Sequence, residues 1–412
     1  MIDTIQSLPV YKKYYNTIYF LSTGIKEVGP LEIGSLYNLY SRNPIEGNRV
    51  RLNLGTTPKL FKNIYLNGYV AYGFNDQRFK YNANALWLLK RKPRMYLFAS
   101  IKSDLDNSIS FYDNNASSFD NIFNTTFRKK GVPWKLAFVE QKRFEFFNEF
   151  HNGFKQMLSF EHKNFSPYAP LPFQGIFEAN DKNNKSITTA EIGLELRFDY
   201  LERFIEGNYY RTSLGTKYPA VKLYMGLGLK NIFQSQYEYQ KIRFTISDYQ
   251  AIRSMGGINY TFFAGKILGT LPYPILEVHP GNEFYFYNGR TFNMMNRFEY
   301  ISDTYAGLFL EHTMGPLFFK YIPHVKKMKL RTFWTAKGVY GKLSTQNQLL
   351  NQNKGYDFQT LSKSPYIELG TGIENIFRLF RVDFVWRVMP ERVTTDTPAR
   401  KFGIFGSFKF AF

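Results

Sequence analysis

The feature that most constrains this chain is an alternation of apolar and polar residues with a period of two. In the stretch RVRLNLG (49–55), Val50, Leu52 and Leu54 share one face, and the residues between them are polar. Because successive side chains of a β-strand point to opposite faces of its sheet, this pattern predicts a strand with one apolar and one polar face. The same alternation recurs in residues 80–90, 190–200, 241–247 and 380–388.

Two properties of these segments favour a membrane barrel over a soluble sandwich. The predicted strands run for about ten residues, which is long for a soluble sheet and suits a tilted strand that crosses a bilayer. Their polar faces carry both signs of charge beside Gly, Ser and Asn, as a water-filled lumen would. No apolar stretch is long enough for a transmembrane helix. The sequence therefore predicts an all-β fold, a transmembrane antiparallel β-barrel.

We predict about sixteen strands. They lie near residues 33–41, 47–57, 63–74, 79–90, 93–102, 140–150, 154–164, 187–199, 219–229, 239–249, 254–266, 304–313, 327–341, 365–376, 379–389 and 402–412. Most long connections are odd-numbered and most short ones are even-numbered, with 200–218 as the exception. Outer-membrane barrels have long external loops and short periplasmic turns, so both chain termini are predicted to lie in the periplasm.

The chain is predicted to have two parts. Residues 31–412 form the barrel, and residues 1–30 precede it as a short helical segment that lies in the periplasm or plugs the lumen. Residues 1–13, MIDTIQSLPVYKK, contain an early Asp and no apolar core, so they do not form a signal peptide. Because the rest of the sequence indicates export, we expect a trimmed or mature chain.

Charge and cysteine content limit the partners. The net charge is +20 and the chain contains no cysteine, so no disulfide or thiolate metal site can form. A basic chain favours anionic partners, but the cations form neither a basic stripe nor a known nucleic-acid motif, which argues against nucleic acid. We expect outer-membrane lipid and lipopolysaccharide instead, with Lys129 and Lys130 binding lipopolysaccharide phosphates.

The chain ends in FGIFGSFKFAF (402–412), where apolar residues or glycine occupy every second position. A final strand with this spacing and an aromatic last residue resembles the recognition signal of bacterial outer-membrane barrels, which implies the barrel-assembly machinery as a partner. This strand is predicted to close the barrel against the first strand, at a seam that its two glycines weaken and allow to open sideways. The residues assigned to the closing strand are Gly403, Gly406, Phe408, Phe410 and Phe412.

Four longer stretches resemble one protein family. They are NPIEGNRVRLNLG (43–55), YGFNDQRFKY (72–81), GTKYPAVKLYMGLGLK (215–230) and residues 292–323. They resemble the C-terminal barrel of a Bacteroidota family of outer-membrane proteins whose function is unknown. In that family a carboxypeptidase-regulatory-like β-sandwich usually precedes the barrel. The resemblance extends from about residue 28 and implies an integral protein of the bacterial outer membrane.

A more distant resemblance follows from the strand count. Many strands with a long loop between the eleventh and twelfth resemble the BamA, TamA and two-partner-secretion transporter superfamily, whose loop enters the lumen and carries an Arg-Gly-Phe/Tyr motif. The matching stretch is NRFEY (296–300), which implies that Arg297 is luminal. The superfamily's acidic residue on the thirteenth strand has no counterpart in FWTAKGVYG (333–341). Because a buried unpaired arginine is costly, the candidate partners for a luminal lock are Glu311, Glu368 and Glu374.

No enzyme fingerprint and no paired-histidine metal spacing is present. We therefore predict a non-enzymatic barrel without cofactor or metal, acting in membrane assembly, translocation or a surface complex. A barrel-embedded hydrolase is an alternative if His279 or His312 lies beside a serine or a carboxylate in the lumen. Basic polar faces suggest a passive channel for anionic solutes, although pairing with luminal carboxylates is the simpler expectation. A scaffold for periplasmic or surface proteins is a further alternative.

Overall fold

The structure is a computed structural model, and it describes Tyr14 and residues 17–21, 23–106, 112, 126–132, 134–167, 175–177, 185–315, 319–352, 359–390 and 400–408. Its strands are β1 Lys26–Val28, β2 Leu31–Ile33, β3 Tyr40–Asn43, β4 Gly47–Thr56, β5 Ile64–Gly73, β6 Arg78–Lys90, β7 Met95–Asp106, β8 Ala137–Glu149, β9 Phe154–Pro167, β10 Ile187–Phe198, β11 Arg203–Glu206, β12 Arg211–Gly215, β13 Ala220–Gly228, β14 Tyr239–Ile252, β15 Gly256–Leu268, β16 Glu277–Val278, β17 Ile301–Ser302, β18 Thr304–Gly315, β19 Arg331–Lys342, β20 Tyr366–Ile376, β21 Phe380–Met389 and β22 Phe402–Phe408.

Helices are short in the described part of the chain. Helix α1 spans Pro323–Lys326, α2 spans Thr345–Asn351, and 3-10 turns lie at Leu36–Asn38, Arg253–Met255 and Phe319–Tyr321. Residues 17–21 and 175–177 are also helical. None of the described helices has both the length and the apolar composition needed to cross a membrane.

Eighteen of the described strands form one antiparallel sheet whose members pair in chain order. β2 and β3 pair with the two ends of β4, so we count them together as the first wall strand, which the turn Leu36–Asn38 interrupts. β1 pairs with the edge of β2 that does not pair with β4. With β2 and β3 counted together and β1 left out, the described sheet has sixteen wall strands. The predicted all-β antiparallel barrel fold is confirmed.

Apolar side chains cover the outside of the sheet and charged side chains line its inside. On β4, Val50 and Leu52 are 45% and 52% exposed, whereas Arg49 is 1% exposed. On β6, Phe79 is 70% exposed and Lys80 is completely buried. A soluble sheet would bury Val and Phe and expose Lys. An apolar outer band around a polar interior is instead the arrangement of a transmembrane barrel.

Ion pairs satisfy the buried charges of the wall. Arg49 lies 2.7 Å from Glu46 and 2.7 Å from Asp104, and Lys80 lies 2.7 Å from the same oxygen of Glu46. A buried charge is tolerated when it is paired and hydrogen-bonded. The expected pairing of luminal cations with luminal carboxylates therefore holds in this part of the wall.

A hairpin occupies the predicted connection 200–218. β11 and β12 pair with each other and lie outside the barrel sheet. Their turn begins at Gly207, whose N–H donates to the carbonyl of Tyr210 at 2.8 Å. A Gly-Asn pair between two alternating segments is a hairpin signal. The single long connection predicted here thus contains an additional pair of short strands.

The connection between β15 and β18 folds into the barrel interior, and we call residues 269–300 the plug. β16, inside the plug, pairs with β17 just after it. Leu271, Phe292 and Met295 of the plug are completely buried and form two apolar clusters with the inner faces of the strands. The main core of the described structure therefore lies in the lumen, between the plug and the wall.

Candidate functional site

Three charged residues on adjacent strands lie at one level of the inner wall. Lys337 of β19 is the register partner of Glu368 of β20, and Glu368 is the register partner of Arg387 of β21. All three are buried. Register partners on neighbouring strands point to the same face of a sheet, so these residues form a continuous row. We call this row the clamp, because each member contacts the plug.

Two members of the clamp bind the backbone of the plug, one as a hydrogen-bond donor and the other as an acceptor. The Lys337 Nζ donates to the carbonyl oxygens of Asn288 at 2.9 Å and Thr291 at 2.6 Å. The Glu368 carboxylate accepts hydrogen bonds from two successive backbone N–H groups, beginning with Asn293, at 2.9 and 3.0 Å. Buried backbone groups need such partners, and charged partners give the stronger hydrogen bonds.

Arg387 holds the end of the plug. Its Nη1 lies 2.7 Å from Oε1 of Glu299, and its Nη2 donates to the hydroxyl of Tyr300 at 2.7 Å. Glu299 is completely buried, so loss of Arg387 would leave a buried charge without this cation. The clamp thus grips both the middle and the end of the plug.

Arg297 lies in the plug and is buried, in a luminal position. Its Nε is 3.7 Å from Oε1 of Glu283, and its guanidinium donates to the carbonyl of Lys135, whose Nζ donates back to the Arg297 carbonyl at 3.0 Å. Burial lowers the pKa of Arg297 to about 10. Burial also opposes ionisation of Glu283, but Arg297 and Arg128 hold its pKa below the usual 4.5.

The three carboxylates suggested as partners for Arg297 lie elsewhere on the wall. Glu368 belongs to the clamp and holds plug backbone just before Arg297. Glu311 and Glu374 approach one guanidinium nitrogen of Arg381, at 2.9 and 3.9 Å. The plug supplies its own carboxylate to Arg297 because that carboxylate folds into the lumen together with the arginine.

The plug also pairs with the closing strand β22. The N–H of Gly406 donates to the carbonyl of Tyr285 at 3.0 Å, and the N–H of Tyr287 donates to the carbonyl of Gly406 at 2.9 Å. These bonds make a parallel bridge between Phe286 and Gly406. In the described residues β22 pairs along one edge with β21, from Phe402 opposite Trp386 to Phe408 opposite Phe380. At Gly406 the plug therefore occupies the outer edge of β22.

The residues assigned to the closing strand take two directions. A Cβ added at Gly403 would meet Met294 Sδ of the plug at 2.9 Å, so this glycine faces inward. Gly406 faces open space, with the nearest atom 4.0 Å from an added Cβ, and Phe408 is 54% exposed. Phe410 and Phe412 lie outside the described residues.

Lys129 points into the plug rather than away from the barrel. Its Nζ donates to the carbonyl oxygens of Asn282 at 2.6 Å and Asn293 at 2.8 Å. Burial lowers the pKa of this amine to about 8. Lys130, in contrast, is exposed.

His279 lies in the plug between two hydroxyl groups. Its Nε2 is 2.9 Å from the Ser302 Oγ, and its Nδ1 is 2.7 Å from the Tyr112 hydroxyl. His279 and Ser302 are completely buried, and burial lowers the pKa of His279 to about 3. The histidine–serine neighbourhood named for the hydrolase alternative is therefore present, but it is packed inside the core.

Both ring nitrogens of His312 lie within hydrogen-bond distance of protein atoms. Its Nε2 lies 2.9 Å from the carbonyl of Met255, and its Nδ1 accepts a hydrogen bond from the Trp334 indole at 2.9 Å. The described residues contain no group of three His, Asp or Glu side chains that could hold a metal ion.

The clamp was only partly visible in the sequence. The sequence pointed to the segment of Lys337 only through the lack of a carboxylate in FWTAKGVYG (333–341), and to Glu368 only as a candidate partner of Arg297. Alternation shows that each residue faces inward, but the register that aligns three strands is a property of the folded sheet.

These features define the class of fold: an antiparallel β-barrel of the outer-membrane type whose lumen holds an anchored plug. The chain belongs to a family of unknown function, DUF5686, because the model of that family's C-terminal domain matches residues 25–348. No curated protein matches the chain.

Two solved outer-membrane proteins are similar to this chain. BamA from Haemophilus ducreyi, solved without POTRA domains 1–3, is similar with a TM-score of 0.51 and 12% identity, over 97% of this chain and 78% of that chain. CdiB from Acinetobacter baumannii is similar with a TM-score of 0.43 and 7% identity, over 90% of this chain and 58% of that chain. At such identity the likeness concerns the fold alone.

Proposed function

We propose that this protein is a non-enzymatic component of the outer membrane that acts in membrane assembly, in translocation or in a surface complex. Its working element is the seam beside β22. The observation that carries the proposal is the pairing of the plug with β22 at Gly406. An unpaired strand edge is a template for another strand, and here a segment from the lumen covers that edge.

The backbone pairing between the plug and β22 is weak enough to be exchanged. It consists of two hydrogen bonds at Gly406, each contributing about 1 kcal/mol net, beside an apolar cluster of Met294 and Tyr287 with Phe405. A strand that forms a longer ladder with β22 would therefore displace the plug from this edge. The clamp would still hold the plug in the lumen, because its three contacts lie on β19, β20 and β21.

A disulfide between the plug and β22 tests this proposal. The natural chain has no cysteine, so the variant F286C/G406C introduces a single pair at facing positions, where the Cα separation of neighbouring strands suits a disulfide. The variant replaces the native copy in cells, and the proteins of the outer membrane and cell surface are quantified. We expect the oxidised variant to lose the same outer-membrane and surface proteins that deletion removes. A reductant, by opening the disulfide, should bring these proteins back to native levels.

The single variant G406C is the control, because it carries the same glycine replacement without a second cysteine. If deletion leaves the protein composition of the outer membrane and surface unchanged, the proposed role is wrong. If deletion has an effect and the oxidised variant still functions normally, the role does not use the seam.

A barrel-embedded hydrolase is the second candidate, and the 2.9 Å contact between His279 and Ser302 is the observation that favours it. Burial of both groups opposes it, since a substrate must reach the serine. Labelling with a fluorophosphonate probe distinguishes the candidates. Labelling that disappears in Ser302→Ala supports a hydrolase, and an unlabelled native protein argues against one.

A further inference from the structure

The plug leaves part of the lumen open. A chamber of about 700 Å³ lies between the plug and the inner faces of β6–β10, β14 and β15. Its lining runs from Lys102 and Lys163, near the end with the long loops, to Arg94 and Arg211, at the end with the short turns. The chamber thus follows the barrel wall along most of its height. A cavity of this size accommodates a small solute with its hydration water.

The chamber wall is polar, and its charges neutralise one another. Lys241 lies 3.1 Å from Glu191, and Arg143 lies 3.2 Å from Glu161. The lining includes seven Lys or Arg residues and five Asp or Glu residues. Paired charges keep a cavity wet without offering an isolated charge that would hold an ion. The small excess of cations favours anions modestly.

The hairpin β11–β12 covers the end of the chamber where the short turns lie. Tyr210 and Arg211 follow the hairpin turn and line the chamber floor. Arg211 makes two hydrogen bonds to the Glu149 carboxylate at the end of β8, at 2.7 and 2.8 Å. Its guanidinium also lies 3.7 Å from the ring centre of Phe204 on β11. This bidentate pair fixes the hairpin to one side of the chamber.

The tip of the hairpin is attached to the turns between β4 and β7. The Tyr209 hydroxyl donates to the carbonyl of Phe61 at 2.5 Å, and its ring stacks on Tyr65 with centroids 4.7 Å apart. Arg91 donates to the carbonyl of Asn208 at 3.0 Å. The hairpin therefore bridges from β8 to the opposite edge of the chamber.

The hairpin is held less firmly than the plug. Most residues of β11 and β12 are exposed, and the two strands form a sheet of their own. An isolated two-stranded hairpin is marginally stable, and elements with few buried contacts open at low free energy. The plug, by contrast, is buried in two apolar clusters and held by the clamp.

We propose that the chamber is a passage for small hydrophilic solutes, with a modest preference for anions, and that the hairpin β11–β12 is its gate. In the structure Tyr210 and Arg211 of the gate line this end of the chamber. This activity is separate from the seam, because the hairpin is held by Glu149 and Phe61, whereas the plug is held by the clamp.

Conductance of the purified full chain in planar lipid bilayers tests the gate. The variant E149C/R211C/Y209A removes the bidentate pair and the stacked tip, and it supplies the only two cysteines of the chain. A cleavable bis-methanethiosulfonate linker joins these cysteines. We expect the linked protein to conduct like the native protein, and cleavage by a reductant to raise the mean conductance several-fold. In a KCl gradient the reversal potential of the opened protein should shift modestly toward that of chloride.

The linked and cleaved samples are the same polypeptide, so a folding defect does not produce the difference between them. I205A/L214A is the matched control, because these two exposed hairpin residues point to solvent, and its conductance should equal that of the native protein. Equal conductance before and after cleavage overturns the proposal. A cation-selective current after cleavage overturns the anion preference inferred from the wall.

Discussion

Lys337 and Glu368 are register partners on β19 and β20 and bind the same segment of the plug, one as a hydrogen-bond donor and the other as an acceptor. The ammonium group takes the carbonyl oxygens of Asn288 and Thr291, and the carboxylate takes backbone N–H groups from Asn293 onward. Each charge therefore has the other as a neighbour in the sheet and a matching set of backbone dipoles in the plug. Buried charges satisfied in this way specify one position for the segment that they contact.

Lys337→Met should destabilise the protein and loosen the plug. The change removes the amine that two buried carbonyls share, and each buried carbonyl left without this donor costs about 1–3 kcal/mol in the free energy of unfolding. Urea unfolding in lipid vesicles measures this loss, and limited proteolysis reports exposure of residues 288–294. Lys342→Met is the control, because Lys342 is an exposed residue of the same strand. Equal losses in the two variants would show that the clamp does not hold the plug.

The contact between Arg387 and Glu299 should be strongly coupled. We expect Arg387→Met and Glu299→Gln each to lower the free energy of unfolding, and the double variant to lose less than the sum, with a coupling of about 1–3 kcal/mol. The physical reason is that each single change leaves a buried charge without its 2.7 Å partner. A double-mutant cycle by urea unfolding measures the coupling. Additive losses would mean that the pair contributes nothing specific.

The two glycines of the closing strand should respond differently to a larger side chain. Gly403→Leu directs its side chain at Met294 of the plug, where a Cβ already comes within 2.9 Å of sulfur, so we expect a loosened plug. Gly406→Leu points into open space and keeps the backbone bonds to the plug. Protease sensitivity of the plug separates the two. Greater sensitivity in Gly406→Leu than in Gly403→Leu would contradict the assigned directions.

The buried His279 should make stability fall in mild acid. Its pKa is about 3 in the folded protein and about 6.5 in an unfolded chain. Between these values the unfolded state binds a proton that the folded state does not, so acid favours unfolding. The contribution is lost as the pH falls below about 6.5, at about 1.4 kcal/mol for each pH unit. The groups that face the ring are the hydroxyls of Tyr112 and Ser302 and the ring of Tyr305.

Urea unfolding at pH 7 and pH 5 measures this effect, with His279→Gln as the comparison because glutamine keeps polar contacts and does not titrate near pH 6. The native protein should lose more stability than the variant over this interval. Parallel losses in the two proteins would assign the acid sensitivity to other groups.

The C-terminal strand shows how much a local pattern decides. Alternation over residues 402–412 predicted a closing strand, and β22 is found there with Phe402, Ile404 and Phe408 exposed and Phe405 buried. What the alternation could not show is the partner of the free edge at Gly406, which comes from a segment more than a hundred residues earlier in the chain. The pairing of such distant segments depends on the whole fold, because sequence spacing carries no information about it.

Arg297 shows the same difference between what the sequence predicts and what only the tertiary structure decides. Resemblance implied a luminal arginine, and the structure buries it in the plug. Its nearest carboxylate could not be predicted from strand positions, because Glu283 reaches it through the folding of the plug on itself.

By itself, the sequence determined the class of fold, the approximate positions of most strands and the face on which each strand residue lies, because a period of two is a local consequence of strand geometry. Only the tertiary structure decided which residues meet in the lumen. The clamp requires three strands in register, the seam contact requires a plug folded inward, and the chamber floor requires a hairpin laid across the barrel end. Each of these brings together residues that are distant in the chain, and their contacts depend on strand register and loop path, which the local alternation does not specify.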